Sequence, residues 1–136
     1  MTCFTPNSVT ITLILIIRLW CGFVNSTPNT TIDKEVCSGG TYLAGDPYTN
    51  SVAYVLDEVM INTPYSPGYQ YGVFSPFLNS PALGFGGCAQ FLSPLECSSC
   101  MVAAFNEVLK RCCGYVSGAV ILTDCSIGYK DIEPDL

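Results

Sequence analysis

The sequence contains no histidine, the residue that most often serves enzymes as a general base or a metal ligand. It also shows no nucleophile motif. Asp57 and Glu58 are adjacent and therefore diverge around a predicted helix, and the other clustered acids, Asp131, Glu133 and Asp135, lie in a polar tail. Neither group predicts a catalytic carboxylate pair, so we expect a non-catalytic chain without a cofactor.

Basic residues are also scarce, with five Lys and Arg against eleven Asp and Glu. All eleven acids and four of the basic residues follow residue 26, which gives that part of the chain a formal charge of −7. Such a charge repels phosphate backbones and anionic lipid surfaces. Nucleic acid is therefore excluded as an expected partner.

The longest apolar run, "ITLILII" at 11–17, lies near the N-terminus and leads to a small-residue cleavage pattern at Val24 and Ser26. A membrane anchor is the alternative, but the apolar stretch from residue 9 to 24 contains Arg18 and is shorter than the roughly 20 residues of a spanning helix. We predict a signal peptide at 1–26. A polar segment at 27–35 follows, with an N-glycosylation sequon at Asn29.

Two helices are predicted in the remaining chain. Asp46 and Pro47 provide a cap and a first turn for apolar residues at helical spacing, and this helix should stop before Pro64. The second helix begins with a capping box, because Ser93 is followed three residues later by Glu96, and it runs to Arg111.

Short strands are predicted around Val36, at "YQYGVF" and at "LGFGG", the last two separated by turn-forming residues. Residues 114–118 are predicted as a loop, and "AVILTDCSIGYK" at 119–130 as one half-buried strand. The pattern predicts an α+β domain in which two helices pack on one antiparallel sheet.

Seven cysteines follow the predicted signal peptide, and three chemistries compete for them. Zinc needs four ligands in suitable pairs, and the adjacent Cys112 and Cys113 make such a site strained, so we expect no metal. A redox-active CxxC at Cys97 and Cys100 would need to sit at the helix start, whereas the capping box places Cys97 a full turn inside. In a secreted chain, this cysteine density favours disulfides.

From the residues alone, Cys97 and Cys100 can reach Cys88 in the preceding loop and Cys125 in the final strand. Cys112 is a better candidate than Cys113 to reach Cys37, because it lies in the middle of the apolar face of the helix. This predicts Cys113 as a free thiol and a candidate for a disulfide-linked homodimer. Six cysteines still allow fifteen connectivities.

The spacing Cys88-x8-Cys97-x2-Cys100, with Cys112 and Cys125 following, resembles the ginkbilobin-type cysteine-rich domain of plants. "GFGGC", "LSPLEC" and "GAVI" support the resemblance, which covers 36–130 and leaves an acidic tail at 131–136. It implies a sheet of about five strands and two helices. It also implies disulfides joining Cys37 to Cys112, Cys88 to Cys97 and Cys100 to Cys125.

In ginkbilobin-like lectins, mannose is held by an Asn, an Arg and a Glu. The matching positions here are Ser38, Ala119 and Lys130. Exchanging Arg for Ala and Glu for Lys removes a donor fork and an acceptor pair, so we do not expect mannose binding by this route.

The resemblance implies a secreted, apoplastic, non-catalytic binding module with a role in plant defence, antifungal in kind, or in cell-surface recognition. Candidate partners are a carbohydrate and a cell-wall or cell-surface protein. The alternatives are a protein-interaction domain without sugar binding and a CxxC thiol-disulfide enzyme. A further candidate surface is aromatic, although strand and core packing also explain these residues: Tyr65, Tyr69, Tyr71, Phe74 and Phe77.

Overall fold

One antiparallel sheet organises the protein. The computed structural model describes residues 27–132, so the predicted signal peptide and the last four residues of the predicted tail lie outside the described part. The sheet has the order β1-β4-β5-β3-β2. Its strands are β1 (Ile32–Thr41), β2 (Gln70–Phe74), β3 (Ala82–Cys88), β4 (Tyr115–Leu122) and β5 (Cys125–Asp131).

Two helices begin where their local signals predict. In α1 (Tyr48–Asn62), the Asp46 carboxylate accepts a hydrogen bond of 2.9 Å from the backbone N–H of Tyr48. In α2 (Pro94–Arg111), the backbone N–H of Glu96 donates to the Ser93 hydroxyl, and the Glu96 carboxylate accepts from the backbone N–H of Ser93, both at 3.1 Å. The predicted α+β fold, with two helices on one antiparallel sheet, is confirmed.

Both helices pack on the same face of the sheet. A Cβ atom placed on Gly86 of β3 would lie 2.5 Å from Val59 of α1 and 2.9 Å from Met101 of α2, so both helices approach this strand closely. The core forms between these layers, and its fully buried members include Val55, Leu56, Val59, Met101, Ala104, Val108, Val120 and Ile127.

The prediction for the C-terminal third was wrong in one respect. Residues 119–130 do not form one strand after a loop. They belong to the hairpin of β4 and β5, and β4 already begins at Tyr115. The turn falls at Thr123 and Asp124, whose backbone N–H groups donate to the carbonyl oxygens of Thr31 and Asn29 at 2.9 and 3.1 Å. Hydrogen bonds to the distant segment that contains Asn29 and Thr31 therefore accompany a turn inside the stretch that the sequence pattern predicts as one strand.

The sheet also extends beyond the predicted domain boundaries. β1 starts at Ile32, inside the segment predicted to precede the domain, and β5 includes Asp131, the first residue of the predicted tail. Within residues 27–132, no helix has the length and apolar character required to cross a bilayer.

Three disulfides connect the layers at the pairs that the resemblance implied: Cys37–Cys112, Cys88–Cys97 and Cys100–Cys125. Cys113 is itself disulfide-bonded, so the prediction of a free thiol there is wrong. That prediction came from the odd number of cysteines after residue 26. A homodimer linked through a spare Cys113 thiol loses its basis.

Candidate functional site

The sheet face opposite the helices carries the candidate site, and no described element packs over it. The register places one set of side chains there, which we call the open face. In chain order they are Lys34, Val36, Ser38, Gln70, Gly72, Phe74, Leu83, Phe85, Gly87, Ser117, Ala119, Ile121, Ser126, Gly128 and Lys130. Its only charged side chains are two lysines, although the chain is acidic overall.

The three positions that match the mannose site of the family all lie on this face. Ala119 of β4 pairs with Val36 of β1 on one side and with Gly128 of β5 on the other. Ser38 and Lys130 each lie two residues beyond these partners, and residues two apart share a face. The fold thus brings Ser38, Ala119 and Lys130 together, but it offers a hydroxyl, a methyl and an ammonium group there.

A cleft of about 470 Å³ lies beside these positions, across β2, β3 and β5. Its lining is uncharged and consists of Gln70, Tyr71, Gly72, Phe85, Gly86, Gly87 and Ser126. The Tyr71 side chain packs against the core on the helix-covered face, so its phenol does not belong to the cleft. The cleft therefore combines aromatic, amide and hydroxyl groups without a formal charge.

Phe85 is the aromatic ring of the cleft. Its register partner on β5 is Gly128, and a Cβ atom there would lie 2.6 Å from both Cε2 and Cζ of Phe85. The ring thus occupies the space that a side chain at position 128 would take. It remains 39% exposed to solvent.

The aromatic stretch singled out from the sequence does not form one surface. Phe74 points out from the open face, whereas Tyr69 and Tyr71 pack against the core and the Tyr69 hydroxyl donates to the Leu92 carbonyl oxygen at 2.8 Å. Phe77 makes an edge-to-face contact with Tyr54. The stretch thus contributes to several parts of the molecule.

Asn29 remains a predicted glycosylation position. Its residue is exposed, and its side-chain oxygen accepts a hydrogen bond of 3.0 Å from the backbone N–H of Thr31. Among residues 27–132, no group of three or more metal-ligating side chains occurs.

Sequence reasoning did not identify Gln70, Phe85 and Ser126 as members of one cleft. The available signal was Phe85 flanked by glycines in "LGFGG", a pattern that also fits an ordinary strand. Their proximity depends on the pairing of β2 with β3 and of β3 with β5, which joins residues far apart in the chain.

Comparisons with known proteins agree with this architecture. The chain is 25% identical over 119 residues to the "Antifungal protein ginkbilobin-like protein 1" of Picea sitchensis, covering 86% of this chain and 89% of that protein. It is also 25% identical over 104 residues to the "Antifungal protein ginkbilobin-2" of Ginkgo biloba, covering 75% and 77%.

Two solved structures share the fold. The tandem DUF26 ectodomain of the Arabidopsis thaliana cysteine-rich receptor-like protein PDLP5 matches with a TM-score of 0.66 at 21% identity, and that of PDLP8 with 0.64 at 20%. The matches cover 78% and 76% of this chain, but only 51% and 46% of those chains. This chain therefore spans about half of each tandem ectodomain.

The model of the family described as "Salt stress response/antifungal" matches residues 36–132, which is most of the chain. The match includes all three disulfides, both helices and most of the sheet. The resemblance to the ginkbilobin-type domain is thereby confirmed, and the chain belongs to the salt stress response/antifungal family.

Proposed function

We propose that this chain is a secreted, non-catalytic binding module that acts in plant defence by attaching to a cell wall through the open face. The observation that carries the proposal is a sheet whose helix-free face exposes apolar side chains. Phe74 is 64% exposed there, and Val36 and Ile121 are exposed as well. Apolar groups in water are favourable contact points for a partner.

The relatives of this chain support two parts of the proposal, the role in defence and the extracellular location. Its relatives include proteins named as antifungal and, at the level of fold, ectodomains of receptor-like proteins. An extracellular location is consistent with a domain that carries three disulfides, since such bonds persist in oxidising compartments.

The arrangement of the CxxC cysteines disfavours the alternative of a thiol-disulfide enzyme. Cys97 and Cys100 are fully buried and are bonded to Cys88 and Cys125 rather than to each other. A redox-active cysteine must be accessible to its substrate thiol. In this chain the pair connects α2 to two strands.

A wall-binding assay tests the proposal. The full chain, secreted from a plant host, is mixed with isolated fungal and plant cell walls, and the bound fraction is measured after sedimentation. We expect the wild type to sediment with at least one wall and Phe74→Ser to lose most of this binding. Tyr65→Ser is the matched control, because Tyr65 is 80% exposed but lies outside the open face.

The outcomes separate the candidate partners. Binding that disappears when wall proteins are removed by protease would favour the protein-interaction alternative through the same face. Absence of binding to either wall, or equal loss in Phe74→Ser and Tyr65→Ser, would contradict the proposed use of the open face.

Mannose is not an expected ligand at Ser38, Ala119 and Lys130. The three positions are close together, yet they lack the donor fork and the carboxylate of the lectins. We expect no binding of methyl mannoside by calorimetry in the wild type. The triple variant Ser38→Asn, Ala119→Arg, Lys130→Glu should gain it, and mannose binding by the wild type that is lost on changing these residues would contradict this expectation.

A further inference from the structure

The cleft on the open face has a recess made by missing side chains. Gln70 pairs with Gly87 and Gly87 with Ser126, so a glycine lies between two polar residues on neighbouring strands. In the adjacent row, Gly72 pairs with Phe85. A flat group can therefore approach the backbone of β2 and β3 between the polar row and the aromatic ring.

The polar side chains of this row are available to a ligand. Within residues 27–132, neither the Gln70 amide nor the Ser126 hydroxyl takes part in a hydrogen bond to another residue. An amide offers both donors and an acceptor, and a hydroxyl offers a donor and acceptors. Gln70 and Ser126 stand two strand spacings apart, roughly 10 Å, on either side of Gly87.

The aromatic ring complements these groups. Phe85 packs over Gly128 and keeps part of its surface in solvent, so an apolar ligand face can stack on it without a rearrangement of the core. A pyranose ring has the matching character, since its C–H groups form an apolar face while its hydroxyl groups point outward from the rim.

The absence of charge among the lining residues restricts the chemical class of ligand further. All seven lining residues are uncharged, and the chain as a whole is acidic. A uronic acid or a phosphorylated sugar would find no cationic partner among the residues that line the cleft. A cleft of about 470 Å³ lies within the usual range for small-molecule sites, roughly 300–1,000 Å³.

From this arrangement we infer that the cleft binds a ring of a neutral oligosaccharide, with Phe85 as the stacking platform and Gln70 and Ser126 as hydrogen-bonding groups. This subsite is distinct in position from Ser38, Ala119 and Lys130. The inference rests on the proposed wall-binding function and specifies the chemistry of its ligand.

Calorimetric titration of the secreted full chain tests the inference. The probes are laminarihexaose, cellohexaose and chitohexaose, with hexagalacturonate as the anionic comparison. We expect binding of at least one neutral probe and none of the anionic one. Phe85→Leu and Gln70→Leu should each weaken the binding about tenfold, as expected for one aromatic contact or one hydrogen bond.

Two further variants make the test specific. Phe91→Leu changes an exposed phenylalanine outside the open face and should leave the affinity unchanged, while Phe85→Tyr keeps the ring and should retain binding. Because Phe85 contacts Gly128, thermal unfolding of Phe85→Leu is measured in parallel. Gln70→Leu alters an exposed side chain and provides a decisive readout even where Phe85→Leu is unstable.

Failure of this inference is distinguishable from failure of the proposed function. Wall sedimentation that depends on Phe74, without binding of any neutral probe, overturns the sugar cleft and leaves the module intact. Neutral probe binding that is unaffected by both Phe85→Leu and Gln70→Leu also overturns it. Loss of wall sedimentation and probe binding together would remove both proposals.

Discussion

At several positions of the sheet, close packing of neighbouring atoms determines which residue type fits. A Cβ atom on Gly118 of β4 would lie 2.6 Å from Cβ of Cys112, 2.9 Å from Cε1 of Tyr129 and 3.0 Å from Sγ of Cys112. These neighbours are buried, and Cys112 is held by its disulfide to Cys37. The position therefore requires glycine for packing reasons.

This close approach predicts a contrast between two glycines of the sheet. Gly118→Ala should lower the free energy of unfolding by about 2 kcal/mol, because the added methyl group overpacks the core. Gly72→Ala on edge strand β2 should change it by less than about 0.5 kcal/mol, since its nearest contact is 3.7 Å away. Denaturant unfolding of both variants gives the comparison, and equal losses would contradict this packing.

Two buried tyrosines fasten α1 and β5 to the turn region that starts β4. The Tyr129 hydroxyl lies 2.9 Å from the carbonyl oxygen of Cys112 and 2.7 Å from that of Tyr115, and the Tyr48 hydroxyl donates to the Val116 carbonyl oxygen at 2.6 Å. Burial raises the pKa of both phenols well above the usual value of 10. The folded protein therefore resists their ionisation.

Alkaline pH should consequently destabilise the fold. Below pH 10, phenols are protonated in both states, and their contribution to stability is complete; above pH 10, ionisation favours the unfolded chain. Tyr129→Phe should cost about 1 kcal/mol at pH 8 and should flatten the decline between pH 9 and 11, measured by denaturant unfolding. Tyr65→Phe, at an exposed phenol, should retain the wild-type decline, and an unchanged decline in Tyr129→Phe would contradict this explanation.

At the scale of elements, local signals predicted the helices well. Asp46 and the Ser93–Glu96 capping box determine where α1 and α2 begin through contacts within a few residues. The β4–β5 turn was not predictable in this way, because Thr123 bonds to Thr31, which is distant in sequence. The membership of Phe85 in the cleft likewise depends on long-range strand pairing.

The disulfides join elements that differ widely in sequence separation. Cys37–Cys112 spans 75 residues and ties β1 to the end of α2, whereas Cys88–Cys97 spans only 9. In the chain-entropy description, a cross-link that closes a longer loop restricts the unfolded chain more strongly.

Removal of the long-loop disulfide should therefore lower the free energy of unfolding more than removal of the short-loop disulfide. The double variant Cys37→Ala, Cys112→Ala should lose about 2 kcal/mol more free energy of unfolding than Cys88→Ala, Cys97→Ala, because of the longer loop. Denaturant unfolding under oxidising conditions measures both. A larger loss on removing the short loop would show that local packing, rather than loop entropy, dominates.

At the scale of the whole molecule, the two faces of the sheet have different roles. The helix-covered face contains the core and the three disulfides, and it fixes the register of the strands. The same register places Gln70, Phe85 and Ser126 next to one another on the open face, although neither α1 nor α2 packs on that face.

The most direct test of the open face as a surface that binds neutral sugars is an NMR titration of the isotope-labelled, secreted chain with neutral oligosaccharides released from fungal cell wall. We predict amide shift changes concentrated on β2, β3 and β5, including Gln70, Gly87 and Ser126, with α1 and α2 unaffected. Shift changes confined to the exposed sides of α1 and α2, or no changes at saturating oligosaccharide, would contradict the account.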